Sequence, residues 1–176
     1  MTFLTMVAVL SIGVFILVAS YAFMKNEGGE VSMNYKILAC LFLPILNIAF
    51  GLKLNLLDSF KGSPATFENL LVTIVHLAVW IFSLAFAYKA ESKAMLKLYA
   101  IFWALTLAIS ALTAYINSVE TTVDFAWAIP IAMLLLPQWY GFDYFVDDDF
   151  VLSIILMVIS LVMVSASVWR SRRLVK

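Results

Sequence analysis

Apolar residues run along this chain in six long blocks, and the charged residues sit between them. The blocks cover residues 2–24, 37–57, 70–88, 95–117, 123–142 and 150–169. Most are about 20 residues long, enough for an α-helix to cross the ~30 Å hydrocarbon core of a bilayer. Hydrophobicity is continuous within each block and does not alternate with period two, so the pattern predicts spanning helices and not the strands of a barrel. The first block has no Lys or Arg ahead of it and is longer than the apolar core of a signal peptide, so it reads as a retained span.

The fifth block differs from the rest. It begins near Asp124, contains Pro130 and Pro137, and ends in Gln138-Trp139-Tyr140-Gly141. Proline removes a backbone donor and kinks a helix, and irregular backbone survives at membrane depth only inside protein or beside a cavity. Two architectures are therefore open for a single helical domain over residues 1–176. The first is an all-α integral membrane bundle of five full spans with a re-entrant or shallow segment at 123–142. The second has six plain spans.

Charge favours the first. In short loops, Lys and Arg collect on the cytoplasmic side. With a re-entrant fifth block, nine of the 11 bases fall on one side: Lys25, Lys36, Lys89, Lys93, Lys97, Arg170, Arg172, Arg173 and Lys176. Lys53 and Lys61 remain on the other, with Glu120, Asp124, Asp143 and Asp147–Asp149. The C-terminus is then cytoplasmic, and the expected location is the plasma (inner) membrane.

Composition agrees. Of the 176 residues, 65% are hydrophobic and 12% charged, where a soluble domain carries about 25% charged residues. A net charge of zero gives no field to recruit nucleic acid. Cys40 is the only cysteine, which excludes an internal disulfide and a CxxC pattern.

Polar groups within the spans are the places to look for chemistry. Asn47 lies in the middle of the second block, Lys53 and Asn55 nearer its end, and His76 about two turns inside the third. Asn47 and His76 have similar depths, and a short loop makes their helices neighbours. Together with Glu68 they suggest a ligand or ion route through Asn47, Lys53, Glu68 and His76. The structural reading is the stronger one: Asn47 and His76 hydrogen-bond each other or a backbone carbonyl as helix glue, and Lys53 snorkels to the interface. One histidine cannot form a bis-histidine haem site, and no carboxylates lie at depth beside it for zinc, so no cofactor is expected.

The loop around Asp143, Asp147, Asp148 and Asp149 is the most polar feature, and its spacing does not match an EF-hand. With Trp139 and Tyr140 it forms a candidate partner-binding outer surface, suited to another membrane protein or a cationic peptide. The default for its aromatics is an interfacial belt. Two stripes of small residues, Ala100/Ala104/Ala108/Ala111 and Ser153/Ser160/Ser167, predict close helix seams. Ser63-Pro64 predicts the start of the third helix.

Three function classes remain. A non-enzymatic membrane protein that acts by binding, as an accessory or regulatory subunit or an immunity-type protein, is favoured. A small transporter or channel component is the alternative. A lipid-modifying enzyme ranks last, because no acid and base pair up near an interface.

Overall fold

Helix α1 runs over Met33–Lys61. The computed structural model describes residues 33–119, 123–146 and 148–174, with side chains from Phe42 onward. The apolar block 2–24 and the Cys40 side chain lie outside the described residues. Gly62 follows α1 at φ +60° and closes it. Ser63 N–H donates to the Asp58 carbonyl (3.2 Å) and Gly62 N–H to the Ser59 carbonyl (3.4 Å). These two bonds satisfy the last carbonyls of a helix that ends on a left-handed residue.

Helix α2 covers Phe67–Lys89 and starts three residues later than Ser63-Pro64 implies. The actual cap is Thr66, because Asn69 stands at the third helical position and completes a reciprocal box. Thr66 Oγ1 accepts from Asn69 N–H (3.3 Å), and Asn69 Oδ1 accepts from Thr66 N–H (2.8 Å). At the other end, Glu91 takes the left-handed position (φ 51°). Ser92 N–H reaches the Ala87 carbonyl and Glu91 N–H the Tyr88 carbonyl, the same closure as after α1 but on a residue with a side chain.

Helix α3 spans Lys93–Ser118, with Ser92 as its cap. The apolar block 123–142 is not one helix. It breaks into a 3₁₀ turn at Ala126–Ala128, a 7-residue helix α4 at Ile129–Leu135, and an 8-residue 3₁₀ segment at Pro137–Tyr144. The prolines do not sit inside a long helix. Pro130 and Pro137 each stand in the opening turn of a short one, where a missing N–H costs nothing. Helix α5 covers Asp149–Arg173 and is capped by Asp148, whose carboxylate accepts from Phe150 and Val151 N–H.

All regular structure among the described residues is helical, and four helices are long and apolar enough to cross a membrane: Phe42–Lys61 of α1, then α2, α3 and α5. Their outward faces carry exposed Phe42, Ile45, Ile81, Ile101, Leu105, Val158 and Leu161, the exterior that lipid requires.

The most extensive packing joins α3 to α5. Ser153, Leu156, Ser160, Met163, Ser167 and Ser171 of α5 are buried at intervals of three and four. The serine stripe is thus a seam. The alanine stripe is not: Ala104 and Ala108 are exposed. Helix α3 instead buries Tyr99, Trp103, Thr106, Ser110 and Ala114. Two of these rings, Tyr99 and Trp103, meet Trp80 of α2.

Helices α2 and α3 share a short turn but pack together only sparsely. Aromatic rings wedge them apart. Trp80 stacks on Phe102 (4.4 Å between centroids) and meets Trp103 edge-on (5.2 Å). Helix α2 packs mainly on α1 and on the Pro137–Tyr144 segment.

Candidate functional site

One face of α2 is polar along most of its length. Thr66, Asn69, Thr73, His76, Trp80 and Ser83 recur every three or four residues, the spacing of a single helical stripe. All except Thr66 are buried. The stripe faces α1 and the broken segment, and it bonds to them in three layers.

In the outermost layer, Asn69 Nδ2 donates to Asn55 Oδ1 (3.1 Å) and to Asp58 Oδ2 (3.3 Å) of α1. In the second, Thr73 Oγ1 donates to the Gln138 carbonyl (2.8 Å) and accepts from Gly141 N–H (3.0 Å). One hydroxyl therefore satisfies two backbone groups in a stretch that is 3₁₀ and lacks a continuous α-helical ladder. Thr73→Val keeps the volume and strands both groups; a stability loss of about 2 kcal/mol is expected, read as a lowered midpoint of thermal unfolding in detergent.

In the third layer, the Asn47 amide lies 2.7 Å from His76 Nδ1, and Trp80 Nε1 lies 3.1 Å from His76 Nε2. An indole N–H can only donate, so Nε2 is the acceptor. A neutral ring then carries its proton on Nδ1. The arrangement that satisfies all three groups turns the Asn47 amide oxygen toward that proton, the two ends of an amide being interchangeable in shape. Trp139 closes the site by meeting the imidazole edge-on at 4.7 Å.

Of the predicted route, Asn47 and His76 come together. Lys53 does not join them: it is exposed, while its neighbours Gly51 and Asn55 are buried. Glu68 is only half-buried, because the inward position beside it belongs to Asn69. Sequence reasoning missed Asn69, Thr73 and Gln138. The signal was present in the three-four recurrence of polar residues from Thr66 to Ser83, which hydropathy averaging conceals. Both nitrogens of His76 are engaged by neutral groups, an arrangement suited to cohesion. Among the described residues no three metal-ligating side chains converge. Two buried amide atoms, Asn55 Nδ2 and Gln138 Oε1, have no hydrogen-bond partner among the described residues.

A second feature lies at the end of the bundle where α1 finishes and α5 begins. A cavity of about 430 Å³ opens between the α1–α2 connection, α4 with the segment after it, and the first turns of α5. Leu56, Leu136, Leu152 and Leu156 supply apolar wall, and Asp143, Asp148 and Asp149 supply carboxylates. Asp148 and Asp149 are exposed, and Asp148 also caps α5 (2.8 Å to Phe150 N–H). Asp147 lies outside the described residues.

Trp139 and Tyr140 do not stand on an exposed loop. Both are buried, since the 3₁₀ segment turns into the bundle before it returns to the surface at Tyr144. Tyr140 lines the cavity with the acids, and Trp139 sits inside against His76 and Trp103. No protein-family model, curated protein or solved structure matches this chain.

Proposed function

We propose that this chain is a non-enzymatic, multi-pass membrane protein that acts by binding a cationic, amphipathic partner in the outer cavity. The observation that carries this reading is the cavity itself. Its volume falls in the range of small-ligand pockets, and it sets apolar wall beside carboxylates. The inner polar stripe supports it indirectly, because His76, Asn47 and Thr73 are engaged in holding helices together.

In this reading the first apolar block is a further span, and Ala126–Tyr144 enters the membrane and leaves on the side it came from. A 7-residue helix is about 10 Å long, far short of a crossing, and Pro137–Gly141 is wrapped in protein. The acidic end then faces outward, and the basic C-terminus lies in the cytoplasm of a plasma (inner) membrane.

The test uses the purified chain in nanodiscs, titrated with tetrabutylammonium and with a Lys/Leu amphipathic peptide. Leu152→Trp, which fills the cavity, and the pair Asp143→Asn/Asp149→Asn are each expected to weaken binding about tenfold, or about 1.4 kcal/mol. Unchanged affinity for both probes in both variants sinks the reading.

A second reading, a small transporter or channel component, draws on one observation. Asn55 Nδ2 and Gln138 Oε1 are enclosed amide atoms without a hydrogen-bond partner among the described residues, and a passing polar solute would satisfy them. Proton or solute flux into liposomes above that of empty vesicles, lost in Gln138→Leu, supports this alternative over the first.

A further inference from the structure

The opposite end of the bundle is strongly basic. Helix α2 ends in Lys89, α3 begins with Lys93 and Lys97, and α5 ends with Arg170, Arg172 and Arg173. The hydrogen bond from Tyr88 Oη to the Ala166 carbonyl (2.6 Å) ties α2 to α5 here and gathers these charges into one rim. Among the described residues Glu91 is the one acid at this end. It reaches Arg170 at 3.5 Å and is itself 69% exposed, so it offsets little of the charge.

Helix α3 starts against its own dipole. Its first turn holds no acid, and Lys93 stands where the positive pole favours a negative group. Arg170 adds a second unmet demand: its Nε is enclosed and has no hydrogen-bond partner among the described residues. Its guanidinium carbon lies 6.0 Å from the Tyr88 ring, so the charge is held at the edge of the apolar zone.

The aromatic residues set the depth. Trp169 is exposed, and Arg173 lies over its ring at 3.8 Å. An outward-facing Trp beside Tyr88, at the end of two spanning helices, marks the membrane–water interface. Arg170, Arg172 and Arg173 follow it within about one turn and so lie at the level of the lipid phosphates. An acidic protein partner would have no need of that depth.

We propose that the rim formed by Lys93, Lys97, Arg170 and Arg172 binds the phosphate headgroups of anionic phospholipids, with Arg170 as the innermost contact. Planar guanidinium groups pair with phosphate through two N–H bonds, and the lysines add point charges around them. Glu91 is the local competitor for Arg170.

The experiment follows thermal unfolding of the full chain in an uncharged detergent. Phosphatidylglycerol is expected to raise the midpoint by about 5 °C more than phosphatidylcholine with the same acyl chains. In Lys93→Gln/Lys97→Gln/Arg172→Gln, all exposed positions, that difference is expected to vanish while the midpoint in phosphatidylcholine stays put. Arg170→Gln should reduce the difference, and Glu91→Gln should enlarge it. Equal stabilisation by the two lipids overturns the proposal, as does a phosphatidylglycerol effect that survives the triple substitution. An equal shift from inorganic phosphate overturns the lipid assignment in favour of a soluble anion. A larger shift from polyglutamate overturns it in favour of an acidic protein segment.

Discussion

Gly141→Ala is expected to be among the most damaging single-methyl additions to this protein, costing about 3 kcal/mol and lowering the unfolding midpoint in detergent by about 10 °C. A Cβ at position 141 would collide with the Asn69 carbonyl and lie 2.5 Å from Leu70 Cα. Both are backbone of α2, and neither can rotate away. The broken segment would have to lift off α2, and lifting it breaks the bonds between Thr73, Gln138 and Gly141. Gly51→Ala is the control. Its Cβ would meet Gln138 Cγ at 2.7 Å, but that is a side chain with torsions to spare, so about 1 kcal/mol is expected. Equal losses at the two positions would mean that the backbone crossing at 141 carries no special weight.

His76→Leu is expected to cost about 3 kcal/mol, because it strands two buried groups at once: the Asn47 amide and the Trp80 N–H. Adding Asn47→Leu should cost less than its effect alone, with a coupling of about 1 kcal/mol. Trp80 and Trp139 both contact the imidazole ring, so tryptophan emission should shift in the single variant. The same protein separates the two functional readings. If binding at the outer cavity is the activity, stably folded His76→Leu protein keeps its affinity for the cationic probes. If a polar route is the activity, flux is lost while that affinity is irrelevant.

Much of the architecture was legible because a bilayer restricts the choices so severely. The boundaries of α2, α3 and α5 follow the apolar blocks to within about two turns, since charge marks where lipid ends. The abnormality of block 123–142 was legible from Pro130 and Pro137. Its resolution into separate short helices was not, because that depends on Thr73, which lies more than 60 residues earlier. The meeting of Asn47 and His76 was visible from matched depths. Lys53 is exposed and does not join them, in keeping with a lysine that snorkels from a helix end. Trp139 misled: composition shows that an aromatic lies near a membrane edge, but not that its backbone turns inward first. The seams show the same limit. Spacing identifies a row of small residues, as at Ser153/Ser160/Ser167 and Ala100/Ala104/Ala108. It does not identify which row receives a neighbour: the serines are buried, while Ala104 and Ala108 are exposed.

The bond from Thr73 to the broken segment also bears on biogenesis. A 3₁₀ stretch such as Pro137–Tyr144 leaves carbonyls that lipid cannot hydrate, so it is a poor candidate to leave the translocon by itself. Helix α2 is synthesised first, and its hydroxyl is in place before Gln138 and Gly141 emerge from the ribosome. In the reading that this segment enters the membrane, the earlier hairpin of α1 and α2 thus serves as a template for a stretch that hydrophobicity alone would not insert. Lesions in that template should surface as mislocalised chains and rapid proteolytic clearance even where the mature protein, once assembled, would tolerate them.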